Sequence, residues 1–525
     1  LANNANFESY IKIVKVDAET GKVIPYAGAG FHLYRPDGSL ITQTLTYPEV
    51  TTIDTFYTND EGYLITPEKL EYGSGYSLVE VFAPYGYTLN SEPVYFDVTQ
   101  DEASNEDGVT VIEVVKPNMA QKGAIKISKS GEVFSSVTEA DRMYQPVFSV
   151  QGLPGAVYEI TAAEDIITPD GTTRYGKGEI VDTVTTDKTG LAESKPLYLG
   201  KYEIREIKAP YGMVLNTDIR TAELVYAGQE IEITETSASF YNERQKAAVS
   251  LNKVLEQNAK FGIGTNGEIS AVTFGLFATE DLTAADGSVI PTDGLLEILS
   301  VDENGHAVCN TDLPFGSFYL GELSTDEHYI LSDEKHPIVF DYAGQDTALV
   351  EIKANDGKPI DNDLIYGEIY GLKKDEDGNA LGGAVIGLFK SDCNEFTKEN
   401  AILTATSAED GGFSFADVPY GNWLVREIEA PTGFVLSDET FTVTVDKDGA
   451  VIEVEIENTM IRGTVQLTKV DKDYPDNKLT GAEFSVYRDS NGNKELDADD
   501  ELFGTLAETG TGVYEMPDLI YGGYF

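Results

Sequence analysis

The sequence predicts an all-β protein built as a tandem array of small β-sandwich domains. Runs rich in Tyr, Val, Ile and Thr alternate with polar residues and are punctuated by Gly. At 525 residues the chain is too long for one core. One block also recurs four times, the mark of a repeat architecture.

The block is clearest at Tyr202–Asn216 (YEIREIKAPYGMVLN) and returns at Tyr76–Asn90, Phe318–Ser332 and Trp423–Ser437. Each copy spaces an aromatic, an aliphatic and a Glu two residues apart: Tyr76/Leu78/Glu80, Tyr202/Ile204/Glu206, Phe318/Leu320/Glu322 and Trp423/Val425/Glu427. Residues two apart on a strand share a face. The Glu is therefore expected on the apolar face, where a carboxylate is costly unless neutral or paired.

An opening strand ending in Lys precedes each block: Ile11-x-Ile13-x-Lys15, Ile125-x-Ile127-x-Lys129, Val249-x-Leu251-x-Lys253 and Ile369-x-Gly371-x-Lys373. A fifth, Val465-x-Leu467-x-Lys469, follows the last block. The Lys shares parity with the apolar residues and is expected to point inward. A closing strand after each block reaches an Asn: Asn118, Asn242, Asn362 and Asn458. In the last, Ile452, Val454 and Ile456 share the Asn parity while Glu453, Glu455 and Glu457 face out. Asn355 rivals Asn362 in the third repeat; spacing and parity with Val350 and Ile352 favour Asn362.

The step from each closing Asn to the next Lys is always 11, whereas the Lys-to-Glu step varies from 54 to 77. The interior accepts insertions and the junction does not. Asn4, 11 before Lys15, continues the spacing. The expected domains are 7–119, 120–243, 244–363 and 364–459, with a truncated fifth at 460–525. Turn pairs such as Asp37-Gly38, Asp170-Gly171, Asp286-Gly287 and Asp377-Gly378 fill them.

Charge limits the partners. With 90 acidic against 37 basic residues the net charge is −53, which disfavours nucleic acid and anionic membrane. A content of 41% hydrophobic and 10% aromatic residues supports packed cores. No apolar run is long enough to span a bilayer. Cys309 and Cys393 lie in different repeats, so a disulfide framework is excluded. There is no secretory signal at the start and no sorting signal at the end, and a mature fragment is expected.

An inward Lys, Glu and Asn in one sandwich point to a reaction. Desolvation favours the neutral amine, a nucleophile, and raises the Glu pKa, so that the acid can donate to the Asn carbonyl oxygen. Attack on the amide carbon, with the Glu moving protons, releases ammonia and joins the two side chains. The opening and closing strands must then be neighbours. The plain alternative is a set of solvated lysines and surface ion pairs, since Lys and Glu are rarely buried.

The pattern Lys-x-Asp-x-x-x-Gly at Lys15, the block Glu-x-x-Ala-Pro-x-Gly-aromatic and the closing Asn resemble the collagen-adhesin B-type (SpaA-like, prealbumin-like) repeats of Gram-positive surface proteins and pilins. The resemblance implies immunoglobulin-like or prealbumin-like β-sandwiches, each holding a Lys–Asn isopeptide bond assisted by an acidic residue. Carried over, the triads are Lys15/Glu80/Asn118, Lys129/Glu206/Asn242, Lys253/Glu322/Asn362 and Lys373/Glu427/Asn458. The third departs most, because Ser324-Thr325 replaces Ala-Pro. It further implies an extracellular adhesin, or its rigid stalk, held by a sortase on the peptidoglycan of a Gram-positive cell wall. Host matrix or a host surface protein would be the partner, and the only catalysis would be autocatalytic bond formation. The alternatives are a sortase-polymerised shaft pilin, or the stalk of a surface enzyme whose catalytic domain lies outside this sequence. Against the pilin, Tyr474-Pro475-Asp476-Asn477 lacks a Lys at its third position. The fixed 11-residue junction, reaching at most ~36–40 Å, would be the only unclamped backbone between successive bonds.

Asp489, Asn491, Asn493, Glu495, Asp497 and Asp500 space oxygen atoms much as a calcium loop does. The Gly expected at the sixth position lies instead at the fourth, Gly492, and a solvated acidic turn is the other reading. No other cofactor is expected. Gly262-x-Gly264-x-x-Gly267 matches a dinucleotide fingerprint by letter only, without a βαβ unit. His32, His306, His328 and His336 form no metal spacing.

Overall fold

The computed structural model describes residues 6–106 and 109–525; Asn4 lies outside them. Strands dominate, and among the described residues the helical pieces are two short 3-10 turns, Glu268–Ala271 and Ala354–Gly357. No helix there is long and apolar enough to cross a membrane.

Each of the first four repeats packs two sheets face to face. One carries the opening and closing strands side by side and parallel: Glu8–Asp17 with Val109–Asn118, Lys122–Ala140 with Ile233–Asn242, Lys246–Leu255 with Leu349–Lys353 and Ile360–Asn362, and Tyr366–Asp375 with Ala450–Asn458. The other holds four antiparallel strands with the Glu-bearing strand inside: Gly73–Phe82, Gly200–Lys208, Gly316–Ser324 and Gly421–Glu429. Lys and Asn thus come from one sheet and Glu from the facing sheet. The apolar residues flanking them form the core, as with Ile11, Ile13, Phe31, Leu78 and Val114 in the first repeat. Burying one such aliphatic side chain contributes about 1.5–3 kcal/mol.

The 77-residue Lys-to-Glu step of the second repeat has a visible cause. Lys122–Ala140 and Met143–Gly152 form a long hairpin that reaches onto the third repeat. There Val137 N–H donates to Ser288 Oγ at 2.8 Å and Gln145 Nε2 to Leu296 O at 2.8 Å. Phe134 and Tyr144 pack against the third core. In the fifth segment Arg462–Thr468 pairs with Val513–Ile520, and Lys469 is exposed.

The junctions are not free backbone, contrary to the expectation. The residues after each closing Asn pair with the loop that follows the Glu strand, through the bridges Tyr87–Ala120, Met213–Arg244, Tyr329–Leu364 and Phe434–Met460. The Pro-x-Gly turn makes that loop: Tyr87 N–H donates to Pro84 O, and Gly86 takes a φ of 86°, a region open mainly to glycine. Two junctions carry a further clamp. Gln121 is buried; its Nε2 donates to Gly228 O (2.9 Å) and Ile231 O (2.5 Å), and its Oε1 accepts Ala227 N–H (2.9 Å). Gln245 repeats this with Gly344 O (3.1 Å), Thr347 O (2.6 Å) and Ala343 N–H (2.8 Å). The same turns reach back through Gln229 and Gln345, which accept the N–H groups of Ala83 and Ala209. Ile365 and Ile461 stand in the Gln position at the next two junctions.

Candidate functional site

Four internal clusters of Lys, Glu and Asn form at equivalent places. In the first, Lys15, Glu80 and Asn118 are each at most 1% exposed. Lys15 Nζ contacts Asn118 Oδ1, donates to Lys116 O at 3.0 Å, and lies 2.8 Å from Glu80 Oε1. Asn118 Nδ2 donates to Glu80 Oε2 at 2.8 Å and to Thr88 O at 2.7 Å. In the second, Lys129 Nζ contacts Asn242 Oδ1 and sits 3.0 Å from Glu206 Oε1, while Asn242 Nδ2 donates to Glu206 Oε2 at 2.9 Å.

The third and fourth clusters are looser at the carboxylate. Lys253 Nζ donates to Asn362 Oδ1 at 2.5 Å but is 3.8 Å from Glu322. Lys373 Nζ contacts Asn458 Oδ1 and is 3.5 Å from Glu427. Asn362 and Asn458 still donate Nδ2 to their Glu, at 2.9 Å and 3.0 Å. In the third repeat Thr325 Oγ1 also accepts Asn362 Nδ2, at 3.1 Å. Asn355 sits apart in an exposed turn, donating to Pro359 O at 3.2 Å.

The sequence reading placed the carboxyl group on the Asn carbonyl oxygen. The structure puts it on the amide nitrogen, with Oδ1 turned to the lysine, in all four repeats. The cause is a backbone N–H ten residues on, which holds Oε2: Asn90 on Glu80 (2.9 Å), Asn216 on Glu206 (2.8 Å), Ser332 on Glu322 (2.9 Å) and Ser437 on Glu427 (2.8 Å). These donors close the recurrent block, so their spacing was visible, although their role was not. A β-bulge also follows every Glu, leaving Val81, Ile207, Leu323 and Ile428 unpaired: Gly30/Phe31, Val157/Tyr158, Thr273/Phe274 and Val385/Ile386 mark the register shifts on the partner strand. Bulges re-aim side chains, and here four occur at one position.

Burial lowers the pKa of all four lysines, the Glu partner opposing in each. Lys15 falls from 10.5 to about 8. An amine whose charged form burial disfavours, set against an amide carbonyl with a carboxylate beside both nitrogens, is an arrangement suited to amide exchange.

The candidate calcium residues lie together in one loop. Asp489–Asp500 lies in the connection between Ser485–Arg488 and Glu501–Thr505. Among the described residues no group of three or more His, Cys, Asp or Glu is arranged to hold a metal. The amide groups of Asn491 and Asn493 donate to Asp497, at 3.1 Å and 2.6 Å. Asp500 accepts the Ser490 and Asp497 N–H groups, and Glu495 N–H donates to Asn493 Oδ1 at 2.7 Å. Several of the candidate oxygens thus accept the loop's own donors, whereas Asp489 Oδ1 is buried without a hydrogen-bond partner.

A cluster that the sequence did not reveal joins the first two repeats. Arg174 pairs with Asp17 at 2.7 Å and Glu19 at 2.9 Å, and Tyr87 O–H donates to Asp17 at 3.0 Å.

A family model described as SpaA, prealbumin-like fold domain, matches residues 9–111, 149–238 and 367–460, just over half of the chain. The trypsin-resistant surface T6 protein of Streptococcus pyogenes serotype M6 is 29% identical over 148 residues, 28% of this chain. The match spans only 26% of that protein's length. Among solved structures, the Bacillus anthracis TIE protein aligns at 16% identity and a TM-score of 0.49, covering 87% of this chain and 75% of that one. The major pilin subunit BcpA of Bacillus cereus aligns at 15% identity and a TM-score of 0.30, covering 65% of this chain and all of that one.

Proposed function

The chain belongs to the SpaA prealbumin-like family, and from that premise we propose that it is a load-bearing stalk of an extracellular surface adhesin. Each of the repeats 7–119, 120–243, 244–363 and 364–459 is stapled by a self-formed Lys–Asn isopeptide bond. Lys Nζ attacks Asn Cγ. The proton leaving Nζ passes to the Glu carboxylate and on to Nδ2, the Cγ–Nδ2 bond breaks, and ammonia departs. The observation that carries this reading is the fourfold recurrence of one buried Lys/Glu/Asn arrangement. Attachment to cell-wall peptidoglycan by a sortase belongs to the same reading.

The mechanical consequence follows from the parallel pairing. Tension entering at Glu8 would run along the opening strand to Lys15, cross to Asn118, and pass directly into the next opening strand. Residues between the two bonded positions carry no load. The 11-residue link to Lys129 is mostly strand already, at about 3.3 Å per residue, close to its full length. By analogy with a disulfide closing a loop of about 100 residues, each bond adds ~4–5 kcal/mol through the unfolded state.

Force spectroscopy on the chain held by its ends tests the proposal. Repeats 1–4 are expected to show no unfolding extension before rupture, and Lys129→Ala to release one repeat's length. Four unfolding events in the unaltered chain would overturn it.

A further inference from the structure

Each triad lysine faces one residue directly across the parallel pair. Lys129 is set against Phe240, Lys253 against Ile360 and Lys373 against Ile456. In the first repeat the opposite residue is Lys116. Its side chain is buried, at 1% exposure, and its Nζ donates to Glu92 O at 2.5 Å. Paired positions on neighbouring strands share a face, and like charges there repel. Burial weakens the screening of that repulsion. The first repeat therefore holds two interior lysines beside one triad carboxylate, where the other three repeats hold one lysine and an apolar neighbour.

The charged groups around this pair are few. Lys15 meets Glu80, which favours its charged form, and Lys116, which disfavours it. Lys116 meets Glu80 and Glu92. Burial is the largest influence on both lysines and lowers both, and the Lys116 charge pushes Lys15 further down.

We propose that Lys116 is a positioning charge for bond formation in the first repeat, driving Lys15 into its neutral, nucleophilic form. The inference rests on the reading of Asn118 as the partner of Lys15. Nζ attacks Asn118 Cγ, one Nζ proton moves through Glu80 to Nδ2, the Cγ–Nδ2 bond breaks, and ammonia leaves. The Lys15 nitrogen then becomes an uncharged amide, and its repulsion with Lys116 disappears for good. Repeats 2–4 lack this drive because Phe240, Ile360 and Ile456 carry no charge.

The test follows bond formation in the whole chain during cell-free synthesis, in buffers from about pH 6 to about pH 9. Samples are quenched in acid at intervals, and the cross-linked peptides of each repeat are counted by mass spectrometry. In Lys116→Ile the first bond is expected to form severalfold more slowly near pH 7, its rate profile displaced to higher pH. Repeats 2–4 serve as unchanged internal controls, and Lys116→Arg keeps the original profile. Full yield near pH 9 in both Lys116→Ile and Lys116→Met separates a displaced profile from a misfolded repeat; failure to recover there contradicts the proposal. So does a Lys116→Ile profile that coincides with the original. Absence of the first bond in the unaltered chain at every pH overturns the reading of Asn118 itself, a result distinct from an unmoved profile.

Discussion

Lys253 Nζ stands 3.8 Å from Glu322 Oε1, whereas Lys15 Nζ stands 2.8 Å from Glu80 Oε1. In the proposed reaction the carboxylate takes a proton from the amine and delivers it to the amide nitrogen, and only the shorter distance is within hydrogen-bond reach. Repeats 1 and 2 are therefore expected to close before repeats 3 and 4. A time course of cross-linked peptides from newly made chains measures the order. Equal rates in repeats 2 and 3 would remove the carboxylate distance as a determinant.

Glu206→Gln keeps the shape of the second triad and removes its proton acceptor. The variant is expected to fold, to keep one more ammonia (about 17 Da) and so to weigh about 16 Da more than the parent once the Glu→Gln change of about 1 Da is included, and to lose the ~4–5 kcal/mol attributed to the tie. Mass and the unfolding midpoint of the second repeat read these effects separately.

The lowered Lys15 pKa sets a pH dependence of known sign. Between about 8 and 10.5 the unfolded chain holds a proton on Lys15 that the folded, unbonded chain does not. Stability therefore rises with pH across that window and falls as pH drops through it. Asn118→Ala, which leaves Lys15 and Glu80 without a partner to join, is expected to show this rise in denaturant titrations. The bonded parent is not, because an amide nitrogen does not titrate there. In the parent, the rate of forming the first bond climbs with pH and levels off near 8.

Arg174→Ala removes the cation that neutralises the buried Asp17 at the first junction. Leaving a buried charge without its partner costs about 3–5 kcal/mol. The first two repeats are expected to lose stability together and to bend more freely, which small-angle scattering on the chain detects as a fall in maximum dimension. Val137→Ala, at the second junction, serves as the control for a local effect.

Much of the site was legible because strand parity is strict. Lys15 shares a face with Ile11 and Ile13, and Asn458 with Ile456 and Val454, so burial followed from spacing alone. The adjacency of opening and closing strands followed from the chemistry assigned to them. What stayed hidden depends on partners distant in sequence. The bulge at each Glu is a mismatch between two strands, and neither strand announces it. The hairpin arm of the second repeat reads as ordinary strand because Phe134 and Val137 do not declare which core they cover. Gln121 and Gln245 are commonplace residues until the turns at Ala227 and Ala343 fold over them, though the repeated Tyr-Ala-Gly-Gln at 226–229 and 342–345 was a signal. Lys116 shares the Asn118 parity, but three sister repeats place an apolar residue there, so the repeat pattern does not single it out. The acidic loop at 489–500 matches a calcium spacing in letters, but the letters do not show that the Asn491 and Asn493 amides turn to Asp497.

Intact mass of the chain is the most direct measurement. Four closed triads predict a mass about 68 Da below that of the linear sequence, one ammonia lost per repeat. A mass equal to the linear sequence contradicts the account in every repeat at once.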